Sequence, residues 1–150
     1  MRISARADYA VRSVIEIAAR TPELAKSDQI AAAQEIPAKF LEQILSDLRR
    51  AGLVSSRRGA DGGYVLARPA DEISMADIIR AVDGPLAWVR DQRPGAVAYN
   101  GNAAPLREVW IAVRAALRSV LDDVTVADVL AGELPPSVTA FTADEEVWRD

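Results

Sequence analysis

Two groups of side chains in the first half of this 150-residue chain have types and spacings suited to recognition chemistry. Lys39, Glu42 and Gln43 stand three and four residues apart, which puts them on one side of a helix. A lysine can donate to guanine or to a phosphate, a glutamate can accept from cytosine N4, and a glutamine can pair with adenine. The same three residues would equally suit a solvated helix face. Arg57 and Arg58 run directly into Gly59-Ala60-Asp61-Gly62-Gly63. Glycines let a backbone approach another molecule closely. An arginine held at such a tip suits the enhanced negative potential of a narrow minor groove. Two other readings stand beside this one: a tight hairpin whose arginines lie in water, and a phosphate-binding loop. The last lacks the Lys-Ser/Thr of a Walker motif and a following helix.

Catalytic chemistry has little to work with. The chain has no His and no Cys. Their absence removes disulfides, thiol nucleophiles, Ser-His and Cys-His triads, and zinc or iron–sulfur sites built on those residues. Asp122 and Asp123 are adjacent, so on a helix they point about 100° apart, a poor carboxylate dyad. No enzyme, no metal site and no cofactor are expected.

The elements that would position the basic groups follow from local pattern. Ser4 caps a helix to about Arg20, with Ala10, Val11, Val14, Ile15 and Ala18 as its apolar stripe. Ser27 caps a short helix over residues 28–34, and Glu35-Ile36 makes a tight turn. Pro37 suits the first position of a third helix, where its missing N–H costs nothing. Phe40, Leu41, Ile44, Leu45 and Leu48 form that helix's buried face, and Ala51-Gly52 ends it. Residues 53–58 read as a strand, 59–63 as a turn and 64–67 as a return strand. Helix, helix, turn, helix and a two-stranded wing is the order of a winged helix-turn-helix, so the fold expected is mainly α with a small β wing.

The second half is helical too. Ser74 and Asp77 form a capping box with Ile73 and Ile78 as its staple, and Thr125 and Asp128 form another. A helix is expected to start near Leu86-Ala87-Trp88, followed by a loop to about residue 102. A long helix runs over about residues 103–123. In it, Leu106, Trp110, Val113, Leu117, Val120 and Val124 make a heptad seam, read either as a dimerisation surface or as ordinary packing within the chain. The organisation expected is a DNA-binding unit over 1–70, a dimerisation and sensing region over 71–132, and a loosely held acidic tail over 133–150.

Charge divides along the same line. Lys and Arg number 18 against 22 Asp and Glu, a net charge of −4. Residues 1–70 hold 11 basic and 8 acidic side chains, and residues 71–150 hold 7 and 14. A basic segment can supply an electrostatic footprint for DNA that the net figure hides. No apolar run approaches the roughly 20 residues of a membrane span. The start lacks the apolar stretch of a secretory signal, so a cytoplasmic location is expected.

Several stretches together resemble the Rrf2 family of bacterial winged-helix regulators. They are Ile3-Ser4 with Asp8-Tyr9-Ala10-Val11-Arg12, the run from Ile36 to Ala67, Ile73 to Gly84, Val109-Trp110, and Thr125 to Val129. The match spans about residues 1–132. The resemblance implies a homodimeric transcription factor, usually a repressor, on a near-palindromic DNA operator. It places Pro37, Lys39, Glu42 and Gln43 in the major groove, and the wing of Arg58, Gly59, Gly62 and Gly63 in the minor groove. Arg2 and Arg57 suit phosphate contacts by charge and position. The alternative is a winged-helix module that acts through a partner protein rather than by direct operator binding. Steep weakening of binding by salt would discriminate the two.

The chain also departs from the family pattern. Many members hold an iron–sulfur cluster on three cysteines before the long helix, and the corresponding stretch from Val89 to Pro105 has none. Some members add an acidic ligand where Asp8 stands here. Without thiolates, Asp8 reads as a first-turn helix residue or as an intersubunit ion-pair partner. Trp88, Arg90, Arg93 and Tyr99 occupy the cluster stretch instead, with Asn100 and Asn102. They are either the lining of a small-molecule effector site or a plain surface loop. A protein partner on the acidic half is a further way to switch it.

Overall fold

The computed structural model describes residues 2–149, so the outermost residue at each end of the domain scheme lies outside the described residues. Helix α1 (Ala5–Arg20) is central, touching α2, α3, α4, α6 and the wing. Ser4 caps it by accepting from the Ala7 N–H at 2.9 Å. Its buried face is Ala7, Ala10, Ser13, Val14 and Ile17, whereas Val11, Ile15 and Ala18 are only half-buried. The expected stripe is therefore rotated, because the helices that press on α1 come from several sides. The buried Ser13 hydroxyl is satisfied by donating to the Tyr9 carbonyl at 2.7 Å.

Helix α2 (Ser27–Gln34) starts at Ser27, the residue expected to cap it, one position earlier than expected. Lys26 takes the cap position and its N–H donates to the Gln29 side chain at 3.0 Å. The preceding Ala25 is pinned to Tyr64 by two backbone hydrogen bonds of 2.8 Å, which fixes where the chain turns into the helix. Helix α3 (Ala38–Arg50) follows a left-handed Glu35. Pro37 is its extended cap residue, not its first helical one, and the Pro37 carbonyl accepts from Leu41 at 3.2 Å. Leu41, Ile44, Leu45 and Leu48 are buried as expected. Phe40 is not: it is 49% exposed, off the edge of the buried face. Its ring lies 6.3 Å from that of Tyr9, beneath the Lys39 ammonium.

Strands β1 (Val54–Arg57) and β2 (Gly63–Leu66) pair antiparallel in the register Val54↔Leu66 to Arg57↔Gly63. Arg58 stands in the turn. Helix α4 (Met75–Asp83) carries the expected Ser74–Asp77 capping box, and both staple residues, Ile73 and Ile78, are fully buried.

No helix forms at residues 86–88. Ala87, Arg90 and Asp91 all have positive φ, which interrupts a right-handed helix. The segment is a folded loop, held by the burial of Leu86, Pro94 and Val97. Short 3₁₀ turns occupy Pro94–Ala96 and Gly101–Ala103. Helix α5 (Leu106–Leu121) is shorter than expected, with Pro105 as its cap residue. Val124 lies beyond its end, buried in the main core rather than on a seam. Helix α6 (Val126–Ala131) begins with the Thr125–Asp128 capping box. Its start is stitched to that of α4: the Met75 N–H donates to Val124 O and the Val126 N–H to Ile73 O, each at 2.9 Å. Ile73, Met75, Ile78, Val124 and Val126 thereby join one core with α1, α2 and α3.

The end of the chain is more ordered than a loose tail. Helix α7 (Pro136–Thr142) packs Val138 against the core, and the Ser137 hydroxyl donates to Asp123 at 2.6 Å. Phe141 and Trp148 remain exposed.

Candidate nucleic-acid interface

Burial of Leu41, Ile44, Leu45 and Leu48 forces the other side of α3 outward. Pro37, Lys39, Glu42 and Gln43 are all exposed there. Gln43 spends one donor on Asp47, at 3.1 Å. Asp47 is the anchor of this helix: it pairs with Arg6 of α1 and with Arg50. Arg6 also donates from Nε to the Val82 carbonyl of α4 at 3.1 Å. One guanidinium thus ties the candidate reading helix to two neighbours and fixes its axis.

The wing is tied to the same helix. Arg49 in the last turn of α3 donates to the Ser56 hydroxyl of β1 at 3.3 Å. Arg57 and Arg58 are exposed, and no carboxylate lies within ion-pair reach of either among the described residues. The glycines of the turn divide by role. A Cβ on Gly62 would fall 2.2 Å from the Arg57 carbonyl oxygen, and one on Gly63 would fall 2.7 Å from that of Ala25. Both are therefore needed to close the hairpin against its own chain. Gly59, at φ +109°, has open space around it and is the one free for a close approach from outside.

Arg2 is not gathered with the wing. It lines a separate cleft before α1, beside Ser4, Asp83 and Trp88. Sequence reasoning passed over Arg49 and Arg50. Both are exposed at the end of α3, and their only sequence signal, basic charge in a last turn, reads equally as a partner for the helix dipole.

The seam on α5 is mixed. Trp110 and Val113 face the loop around Trp88, and Leu117 lines a cleft with Ile79 and Leu121. They are half-buried inside the chain. The apolar stripe left in solvent runs instead through Leu106, Val109, Ala112 and Ala116, with Val109 47% exposed.

Residues 88–99 split into two arrangements. The Arg90 guanidinium lies 5.5 Å over the Tyr99 ring, while Trp88 and Arg93 share a cleft with Arg80 and Arg114. The donors for an iron–sulfur cluster are missing. There is no Cys or His in the chain, and Asp91 is the one carboxylate between residues 85 and 105. Among the described residues, no group of three or more potential metal ligands comes together. Asp8 is spent on Arg12, one helical turn away at 2.8 Å. The residues present do not fit a cluster.

Comparison with known proteins gives the family and the fold. The Rrf2 family model, described as an iron-dependent transcriptional regulator, matches residues 3–132. A Mycobacterium tuberculosis protein named as an HTH-type transcriptional regulator is 50% identical over 145 residues, covering 96% of this chain and 90% of that protein. The HTH-type transcriptional regulator CymR of Bacillus subtilis is 39% identical, over 85% of this chain and 88% of its own. The structure of that CymR, the global cysteine regulator of B. subtilis, superposes with a TM-score of 0.74 at 37% identity, over 87% of this chain and 97% of the other. The T. potens IscR structure follows at 0.71 and 32%, covering 88% of each.

Proposed function

This chain belongs to the Rrf2 family of winged-helix transcriptional regulators, and from that premise we propose that it is a homodimeric repressor reading a near-palindromic operator without an iron–sulfur cluster. One observation carries the reading: an exposed polar face of α3 and an unpaired pair of wing arginines, joined by the Arg49–Ser56 hydrogen bond. That bond is one of the contacts that hold the wing beside the helix.

In this reading Lys39, Glu42 and Gln43 meet base edges in the major groove, where recognition helices act through their first turns. Arg58 enters the adjacent minor groove, and Arg2 and Arg57 take phosphates. Gly59 lets the wing tip sit close to the DNA. Two copies would present their reading helices about 34–36 Å apart, one turn of duplex. They would pair through the exposed stripe of α5, which includes Leu106, with Trp110, Val113, Leu117 and Val120 at its margin. Trp88, Arg90, Arg93 and Tyr99 form the sensing region.

Selection of fragments from genomic DNA with the full-length protein, followed by fluorescence anisotropy on the winning site, tests this. A palindromic site is expected, with affinity falling steeply as salt rises. Arg58→Ala should cost about 1–3 kcal/mol of operator binding. No enriched sequence, or salt-independent binding, overturns the proposal.

A further inference from the structure

Four arginines converge where α4, the 84–97 segment and α5 meet. Asp122 is shared by Arg80 and Arg118, each at 2.8 Å, and Asp77 stands 3.8 Å from Arg80. Those two carboxylates are matched by those two guanidinium groups. Arg93 and Arg114 have no ion-pair partner among the described residues. Both line a cleft of about 280 Å³ with Arg80, Gly84, Pro85 and Trp88, and no carboxylate is in its wall. Both also line the neighbouring cleft beside Pro94 and Ile111, whose wall likewise lacks a carboxylate.

Arg114 carries the second mark. Its Nε is covered by the protein with no acceptor among the described residues, as is that of Arg20 on α1, while the half-exposed guanidinium of Arg114 lines the cleft. A buried donor left unpaired is costly, and native structures rarely tolerate one without a reason. Trp88, 43% exposed, supplies a flat apolar wall beside these charges. Planar guanidinium forks match oxyanions in two-point fashion.

We infer that this cleft binds a small oxyanionic metabolite with a flat apolar part, its anionic oxygens on Arg93 and Arg114 and its flat part on Trp88. The inference rests on the sensing role given above to residues 88–99, but replaces Arg90 and Tyr99 as ligand contacts. Those two stack on each other, away from this cleft's lining. Its size suits a small ligand, below the usual range of about 300–1,000 Å³ for drug-sized pockets. Arg93 precedes the 3₁₀ turn Pro94–Ala96, which packs on α5, so an occupied cleft would draw the loop and the long helix together.

Calorimetric titration of the full-length protein with benzoate, phenyl phosphate and neutral benzamide tests the site without DNA. At least one of the two anions should bind saturably and benzamide should not. Arg93→Gln and Arg114→Gln should each weaken anion binding at least tenfold, while the distant Arg149→Gln leaves it unchanged. Arg93 is exposed, so its variant keeps the fold even if Arg114→Gln perturbs packing, and Arg93→Lys should recover only part of the loss. Absence of saturable anion binding, equal binding of benzamide, or parental affinity in Arg93→Gln overturns the proposal. Anion binding with no operator recognition would leave this site standing and remove the DNA-binding reading instead.

Discussion

Helices α3 and α5 begin alike and end up opposite. Each starts behind a proline, Pro37 or Pro105, and each alternates apolar and polar residues at helical spacing. Yet α3 buries four side chains completely over 13 residues, while α5 buries none over 16. What α3 leaves in water is polar and charged apart from Ala38 and the half-exposed Phe40. What α5 leaves in water includes Leu106, Val109 and Ile111. A helix earns its place by burying an apolar face, since isolated helices of this length are marginal. Helix α3 completes that task within the chain, so its outer face is free for reading. Helix α5 does not, and its outer face is the one that the proposed dimer would cover.

Substitutions can break or sharpen this contrast. The largest effect is expected from Leu45→Ala in α3, at about 2–5 kcal/mol of unfolding free energy, measured by urea titration. A loss below about 1 kcal/mol would mean that α3 is not the better-anchored helix. Next comes Val109→Glu on α5. It should leave the helical circular-dichroism signal intact but weaken self-association about 100-fold, or roughly 2.7 kcal/mol, in sedimentation velocity. An unchanged sedimentation profile would place the interface elsewhere.

Gly62→Ala tests the wing that α3 supports. The added carbon would meet the Arg57 carbonyl, and overpacking of this kind typically costs about 1–3 kcal/mol. Gly95→Ala, in open space beside α5, should stay within about 0.5 kcal/mol of the parent in the same thermal melts.

A small, pH-dependent effect concerns Asp122, the residue that caps α5. Burial pushes its pKa up, but hydrogen bonds from Arg118 and Arg80, and their charge, outweigh burial and hold it below the ordinary aspartate value. The folded state therefore keeps Asp122 ionised to lower pH than the unfolded state does. Its stabilisation is complete above the ordinary aspartate range and fades as pH falls through the folded value. Asp122→Asn should be less stable than the parent near neutrality by under about 1 kcal/mol, because the pair is partly exposed. Melts taken from about pH 7 down to about pH 3 should show the gap closing. A gap that widens with acid would contradict the assigned shift.

The same contrast explains what was readable in advance. The reading helix and wing are written in local signals: a proline, a leucine-rich stripe, an arginine pair and clustered glycines. Those signals act within a few residues of each other, and they located both elements to within a residue or two. The capping boxes at Ser74 and Thr125 were legible for the same reason. The segment from 86 to 105 was not. Its shape comes from the distant burial of Leu86, Pro94 and Val97, and from positive φ at Ala87, Arg90 and Asp91, residue types that do not advertise it. Periodicity also cannot say which of two neighbouring apolar stripes faces inward. That is how Phe40 was placed in the core, and how Val109 was passed over in favour of Trp110 and Leu117. Nothing in the sequence around Arg114 sets it apart from a solvated helix residue; only the fold brings it beside Arg80 of α4.

The stitch between the starts of α4 and α6 has a consequence for how such a chain can change over generations. Two backbone bonds, from Met75 to Val124 and from Val126 to Ile73, close a loop that runs from the start of α4 to the start of α6 and contains α4, the 84–105 segment and α5. With its mouth closed, the loop can lengthen or alter its contents at little expense to the rest, because doubling a closed loop costs only about 0.6 kcal/mol. A sensing region of the kind proposed above, housed there, would be exchangeable in the way a cartridge is, with the winged-helix unit left as it stands.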